Sequence, residues 1–495
     1  MVPVTLAAVD LGSNSFRLEL ATLQHGRYRR IDYLKETVRL GGGLDADGLL
    51  TEEAVERGLT CLRRFAARLG GLPPAQVRAV ATQTLREARN RNDFLLRAEA
   101  ALGYPIEVIS GREEARLIYA GVAQLQPSDE ARLVVDIGGR STELILGQGR
   151  TPQVAESFAV GSVGLSMRFF GDGRFTPAAF RAAQVAAGAE FEEGLQTFRR
   201  ERWQQALGSS GTVGAVASLL RDSGRGDGRI SADNLRWCIE RCLEAGRADR
   251  LELPGLRADR RPVIGGGLCI LYTLAAQFGI DVLMPAKGAL RQGVIVDLQQ
   301  RRLSQRKPSA GDLRDASVAE LQRRFAVDTA HAERVAAVAA ALYQQACPDA
   351  DAVARRELRW ACALHEMGQT VSHHDHHRHS AYLMAHVDAP GFSQSQQRRI
   401  GELVLGQRGG LRKIEQPLAQ TGFAWQVLCL RLAVIACHAR LAVSPHELRL
   451  HPDGNQARLG WKAAWAAQHE RTVFLLQEEA LAWQRHGPLR LLLPA

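Results

Sequence analysis

Two related α/β half-domains, followed by an all-helical region and a small α+β tail, are the architecture this sequence predicts, and three observations predict it. Residues 133–146 repeat residues 7–20: Asp136/Asp10, Ile137/Leu11, Gly138/Gly12, Ser141/Ser15, Leu144/Leu18 and Leu146/Leu20 coincide at a spacing of 126 positions. Around each copy, short apolar runs alternate with helix-period segments, the order of an α/β domain. From residue 313 onward the apolar spacing becomes almost wholly helical.

Each copy is an apolar run that ends at Asp, turns through Gly and small hydroxyl residues, and resumes as a second run. Gly12 and the Gly138-Gly139 pair can bring several backbone N–H groups to one point, while Ser13, Asn14, Ser15, Ser141 and Thr142 add donors without bulk. Such a turn cradles phosphate oxygens. Beyond Ser15, Phe16, Leu18 and Leu20 alternate with Arg17 and Glu19, a period of two that predicts a returning strand. A P-loop or a dinucleotide-binding turn would be followed by a helix instead.

In chain order, strands are expected at 6–10, 17–23 and 28–34, then a helix after Thr51 that stops at Gly70-Gly71 with Pro73-Pro74 beyond. Short buried strands follow at 77–81 and 106–109, and Thr82, Thr84 and Arg86 mark a strand-to-helix junction. Ser110 with Glu113 three residues later is a capping box, which accounts for Glu113 and leaves Glu114 unexplained. If that helix start faces the Gly turns, Glu114 is the carboxylate best placed to act as a base.

The second half adds the Asp136 hairpin, a strand at 153–160, a long helix at 177–200, and Gly-rich turns at 211–213 and 265–267 that could serve a nucleoside. Residues 301–311, basic and punctuated, read as a linker. Helices are expected at 318–325, 333–347, 353–366, 378–386, 394–405 and 425–441. A hairpin turning at Pro452-Asp453-Gly454-Asn455, one further helix and a last strand at 489–493 complete the chain. The expected domains are 1–120, 121–300, 308–442 and 443–495.

A chain of 495 residues with 46% hydrophobic and 23% charged content is that of a globular protein too long for one core. Its net charge of +10 favours an acidic partner: nucleic acid, anionic membrane and phosphate polymers all fit. The arginines are dispersed and aromatics are only 6%, so there is no stacking platform of the single-strand-binder kind, and a polyanionic substrate is as good a reading as nucleic acid. Eight cysteines without a CxxC pair are expected to be reduced. The start lacks a signal peptide, and the apolar run at 427–437 is short and broken by Arg431, so no integral membrane segment is expected. A cytoplasmic protein is the reading, with peripheral membrane association left open.

The run at 373–379 (His-His-Asp-His-His-Arg-His) invites a metal reading, but a run in a loop lacks the spacing that fixes ligands, and a polar connection is the preferred account. His331, with His365-Glu366 a helix later, faintly resembles the HD phosphohydrolase layout, with Glu366 where Asp is expected.

Taken in order, residues 10–16 (Asp-Leu-Gly-Ser-Asn-Ser-Phe), Thr84-Leu-Arg86, the Ser110-Gly-x-Glu-Glu motif, Asp136-Ile-Gly-Gly-x-Ser-Thr-Glu, Ser210-Gly-Thr and Gly288-Ala-Leu-Arg-x-Gly form a specific set. The set resembles the exopolyphosphatase/guanosine pentaphosphate phosphatase (Ppx/GppA) family. That resemblance implies an actin-like pair of ribonuclease H-like α/β domains with the site between them, an all-α HD-like domain, a small α+β domain, and a homodimer. It also implies Glu114 as the general base, Asp136 and with less definition Glu143 at a divalent metal, Mg²⁺ with K⁺ as a further ion to consider, and Gly12, Ser13, Asn14, Ser15, Arg86, Gly138, Gly139, Ser141 and Thr142 at phosphate. The implied substrate is inorganic polyphosphate, the alternative guanosine pentaphosphate, and no nucleic-acid polymer is expected as a partner. Rivals sharing the fold are a sugar kinase, which would use an Asp base, and a non-catalytic nucleotide sensor. Arg140, Lys287 and Gln292 depart from the family pattern, and Arg140 would add a cation to the second turn.

Overall fold

A computed structural model describes residues 4–306, 311–441 and 443–494, and the chain divides into two compact units, 1–310 and 311–495. In the first unit, β1 (Thr5–Leu11), β2 (Phe16–Gln24), β3 (Arg27–Glu36), β4 (Val77–Ala81) and β5 (Ile106–Val108) form a sheet of order β3-β2-β1-β4-β5, with β1–β2–β3 antiparallel and β1, β4, β5 parallel. The second sheet repeats this plan. Its strands β6 (Ala131–Ile137), β7 (Thr142–Gln148), β8 (Thr151–Phe158), β9 (Gln205–Ser209), β10 (Ile230–Ser231) and β11 (Val282–Pro285) run β10-β11-β9-β6-β7-β8, so that β8-β7-β6-β9-β11 matches the first sheet and β10 is an added edge. The sequence repeat is therefore a repeat of topology.

Two helices hold the halves together. The helix Gly111–Leu125 follows the first sheet but packs on β6–β8, and the helix Leu290–Arg306 follows the second sheet but packs on β1, β2 and β4. The boundary expected near residue 120 thus falls inside a connecting helix. An apolar cluster of Leu6, Val80, Ile118, Val134, Leu207 and Ile295 joins both sheets through these helices. Where they cross, side chains are absent: a Cβ on Gly293 would lie 1.7 Å from the Leu117 carbonyl oxygen, and one on Gly121 2.3 Å from that of Ala289.

Two expectations change here. Gly265–Gly267 is not a turn but the start of the buried helix Ile264–Phe278, where a Cβ on Gly266 would lie 2.6 Å from the Ser162 carbonyl oxygen; these glycines serve helix packing. The basic stretch expected as a linker is helical through Arg306, and its residues 307–310 lie outside the described residues.

The second unit is helical: Leu313–Arg324, Thr329–Ala346, Ala352–Leu364, His376–His386, Gln394–Gly406 and Thr421–Ala436 are its main early helices. The tail forms a small sheet of β12 (Arg449–Asp453), β13 (Gln456–Gly460) and β14 (Arg490–Leu492) in that order. Leu450, Leu459 and Leu491 from it join Trp360 and Leu428 in one apolar cluster. Among the described residues, no helix is long and apolar enough to cross a membrane.

Candidate functional site

A polar cavity of about 360 Å³ lies between the two sheets of the first unit. The turn between β1 and β2 and the turn between β6 and β7 face each other across it, and Gly12, Ser13, Asn14, Ser15, Gly138, Gly139 and Ser141 all line it. They nearly touch: a Cβ on Gly139 would stand 3.2 Å from that of Ser13. Both turns are held from behind in the same way. The Ser13 and Asn14 carbonyls accept from the N–H groups of Gly41 and Arg39, and the Gly138 and Gly139 carbonyls accept from Ser162 and Val163. Anchored peptide turns of this kind are suited to presenting N–H groups to an anion.

The two hairpins differ in charge at one pair of positions. In the first, Asp10 sits opposite Arg17 and accepts a 3.1 Å hydrogen bond from its guanidinium. In the second, Asp136 sits opposite Glu143, the counterpart of Arg17, so two carboxylates share a register position. Burial, with Glu114 and Asp136 nearby, holds the Glu143 carboxyl well above its usual range, and burial with Asp10 nearby raises Asp136. Glu143 accepts from the Ser157 hydroxyl at 2.8 Å through Oε1, while its buried Oε2 has no partner among the described residues. Like charges facing each other in a buried ladder are unfavourable without a cation. Of the two, Asp136 lines the cavity and Glu143 is off its wall, so Asp136 is the carboxylate open to a divalent ion of the Mg²⁺ kind, which takes one or two carboxylates and fills its remaining positions with water and substrate phosphate.

Glu114 enters from the first turn of the helix Gly111–Leu125, whose N-cap is Ser110, the hydroxyl accepting from the Glu113 N–H at 3.2 Å. The Glu113 side chain is held by Arg116, with hydrogen bonds of 2.7 and 2.8 Å. Glu114 instead lines the cavity. Burial pushes its carboxyl up to about 7, against the opposing pull of Arg86, with Asp136 and Asp10 adding to the rise. Arg86 donates from Nη1 to Glu114 Oε2 at 2.8 Å and to the Ile109 carbonyl at 2.9 Å. It stands behind the carboxylate, off the cavity wall, and its buried Nη2 has no partner among the described residues. With Arg86 changed to Gln, the acid limb of kcat/KM is expected to move to higher pH by about one unit or more, because the cation that favours the ionised Glu114 is gone. An unmoved limb in a pH–rate profile would exclude that coupling.

Thr142 is a correction to the expected phosphate set. Its hydroxyl is fully buried and donates to the Val160 carbonyl at 2.6 Å, so it fixes the strand and does not face the cavity. Arg140 is another. Its Nε donates to Glu87 at 2.8 Å and its Nη1 reaches the Gly41 carbonyl at 3.4 Å, so the extra cation is committed to the opposite half-domain and not to the turn. For Arg140→Ala we accordingly expect a KM whose dependence on ionic strength is unchanged, and a stability loss below about 1 kcal/mol for this part-exposed pair. A flattened salt dependence would restore Arg140 to the substrate path. Gln292 donates to both oxygens of the buried Glu19 at 2.8 and 2.7 Å, and Lys287 lines the cavity.

Several lining groups were missed from sequence, Arg30 and Tyr33 among them. Asp10 was signalled by the repeat itself, as the counterpart of Asp136. Arg17, Lys35 and Arg260 also line the cavity, and nothing local marks Lys35 or Arg260, which topology alone brings together. Burial and the repulsion of Arg260 and Arg17 bring the Lys35 ammonium down to about 8. Such a group of cations is relieved by a polyanion. Ser210, also in the lining, holds a left-handed φ of 86° at the start of the helix Ser210–Asp222, a costly geometry at a cavity wall.

Facing glycine- and hydroxyl-lined turns, half-buried cations and a carboxyl raised toward neutrality, set between duplicated α/β halves, make a cleft suited to phosphate chemistry. The pattern of the Ppx/GppA phosphatase family matches residues 22–302, and that of Ppx/GppA phosphatase, domain III, matches residues 313–480. The chain belongs to the Ppx/GppA phosphatase family, with an actin-like α/β fold and a helical C-terminal region. Among solved structures, an exopolyphosphatase-like protein is similar at 27% identity and a TM-score of 0.54, over 61% of this chain and 100% of its own. The Aquifex aeolicus PPX-GPPA enzyme is 25% identical with a TM-score of 0.51, over 59% and 99%. An exopolyphosphatase from Cytophaga hutchinsonii shares the fold at 24% identity and a TM-score of 0.55, over 60% and 98%.

Proposed function

We propose that this phosphatase removes the terminal phosphate from inorganic polyphosphate, with Glu114 as the base that activates water. The observation that carries the substrate is the half-buried group of Arg17, Lys35 and Arg260 in the same cavity as the two turns, cations that repel one another and would be neutralised by a chain of phosphates. The terminal phosphoryl group would lie between the turns, within reach of backbone N–H groups and the Ser13, Ser15 and Ser141 hydroxyls.

Phosphoryl transfer to water asks little covalent chemistry of the protein; it needs an in-line water, a proton acceptor and neutralised charge. Glu114, near 7, is ionised often enough at neutral pH to take the proton from water and basic enough to hold it. Arg86 orients that carboxylate. A Mg²⁺ ion held by Asp136 would supply charge neutralisation at the phosphate oxygens.

Phosphate release should be measured from long-chain polyphosphate and from guanosine pentaphosphate in parallel with Mg²⁺. Faster turnover of the polymer supports the reading. Faster turnover of the nucleotide makes this a guanosine pentaphosphate phosphohydrolase, and release from neither leaves a nucleotide sensor.

A further inference from the structure

The helical unit carries a second constellation that the cleft does not use. His331, in the first turn of the helix Thr329–Ala346, and His365-Glu366, just past the helix Ala352–Leu364, bring one donor atom each to within 4.8 Å of one another. Among the described residues it is the one group of three His, Cys, Asp or Glu side chains that converges so closely. The two imidazole centroids are 5.6 Å apart, and His331 Nε2 lies 4.0 Å from Glu366 Oε1, too far for a hydrogen bond.

Two details separate this group from an ordinary buried histidine pair. His365 is 1% exposed, and its Nδ1 lies 2.7 Å from the Cys362 carbonyl; that bond fixes the tautomer with the proton on Nδ1 and leaves the lone pair on Nε2. That Nε2 is buried and has no partner, and neither has His331 Nδ1. Core histidines satisfy their nitrogens, so buried nitrogens left over require an explanation. Position is also fixed from outside. The His365 carbonyl accepts from the Ser380 hydroxyl at 3.0 Å and from the Gln407 amide at 2.7 Å, and Glu366 Oε1 accepts from Arg440 at 2.7 Å. His376, on the adjoining helix His376–His386, is buried with both ring nitrogens unpartnered.

We propose that His331, His365 and Glu366 form a binding site for a divalent transition-metal ion of the Zn²⁺ class, clamping the ends of two helices. Two imidazoles and a carboxylate suit zinc and its first-row neighbours, whereas Mg²⁺ and Ca²⁺ prefer oxygen alone. Bonds of about 2.1 Å place tetrahedral ligand atoms about 3.4 Å apart, so binding needs the three side chains to close by about 1 Å. Arg440 beside Glu366 and Arg334 beside His331 oppose a cation and set the affinity below that of a purely acidic site. Of the conspicuous 373–379 run, the exposed His373 and His374 take no part.

The test uses the full chain, stripped with a chelator and titrated with Zn²⁺ by calorimetry and with Co²⁺ by visible absorption. In an Asp136→Asn background, which removes the carboxylate open to the cleft, one equivalent is expected to bind with a nitrogen-ligand Co²⁺ spectrum. His331→Gln and His365→Gln are expected to weaken it by more than roughly 100-fold, beyond the effect of losing an outer contact, while His373→Ala/His374→Ala leaves it unchanged. Should either imidazole variant fail to fold by circular dichroism, Glu366→Gln, equal in shape, is expected to show the same loss. Unaltered binding in the folded variants, loss in the exposed pair alone, or no bound equivalent overturns the site.

Discussion

Replacing Glu114 by Gln is expected to reduce phosphate release by roughly 10²- to 10⁴-fold, the span associated with one general base, with KM little changed. The same substitution is expected to make the protein more stable in alkali. The Glu114 carboxyl is raised by burial from 4.5 to about 7, so the folded state resists its ionisation. Below about pH 4.5 the carboxyl is neutral both folded and unfolded, and Gln and Glu should be equal. As pH rises toward 7 the unfolded chain ionises first, and the wild type loses stability by an amount that levels off above 7 at roughly 3 kcal/mol. Denaturant unfolding at pH 5 and pH 8 checks the sign: a variant less stable than wild type at pH 8 would show that Arg86 needs the charge more than the cavity resists it. A variant with full activity would remove Glu114 from the chemistry altogether.

Gly293→Ala is expected to have the largest effect on folding of any single methyl addition here. Its Cβ would sit 1.7 Å from the Leu117 carbonyl oxygen and 2.5 Å from its carbonyl carbon, both backbone atoms of a buried helix. No rotamer relieves such a contact, so the two helices must separate. Overpacking of a core side chain costs about 1–3 kcal/mol, and a clash with backbone should cost more. Because Leu117 follows Glu114 by one turn of the same helix, activity should fall even in the fraction that stays folded. Urea unfolding together with turnover per folded molecule measures both; a shift in midpoint without any loss of specific turnover would uncouple the crossing from the base.

The two turns were legible because their chemistry is local: Asp, Gly and hydroxyls in sequence order are the same Asp, Gly and hydroxyls in space. Glu114 was legible by elimination, since Ser110 caps the helix start without it, although the Glu113 side chain expected to close the box pairs with Arg116. Thr142 was misjudged because strand register, not sequence, decides which face a hydroxyl takes, and register turned it to Val160. Gly265–Gly267 misled for a related reason, as glycines that loosen a turn and glycines that let two helices touch have the same composition. Arg140 was visible as an oddity, but its partner Glu87 lies 53 positions away. Lys35 and Arg260 reach the cleft from loops and edges that carry no local signature. The Arg17/Glu143 difference was readable by aligning the two copies, and its meaning came only with the facing carboxylate pair.

The crossing of the helices Gly111–Leu125 and Leu290–Arg306 also constrains how the cleft can breathe. Two rods touching backbone to backbone, each seated on the other half's sheet, can pivot about the point of contact but cannot glide along one another, since any axial travel drives Gly293 or Gly121 into a carbonyl. Such a contact favours a scissor-like rotation of the halves over sliding, a hinge rather than a shear. A scissor opens widest at its tips and scarcely at all near its pin. Glu114 lies one turn from the pin, so the distance between the base and the first half's turn should be nearly the same whether the jaws are apart or together.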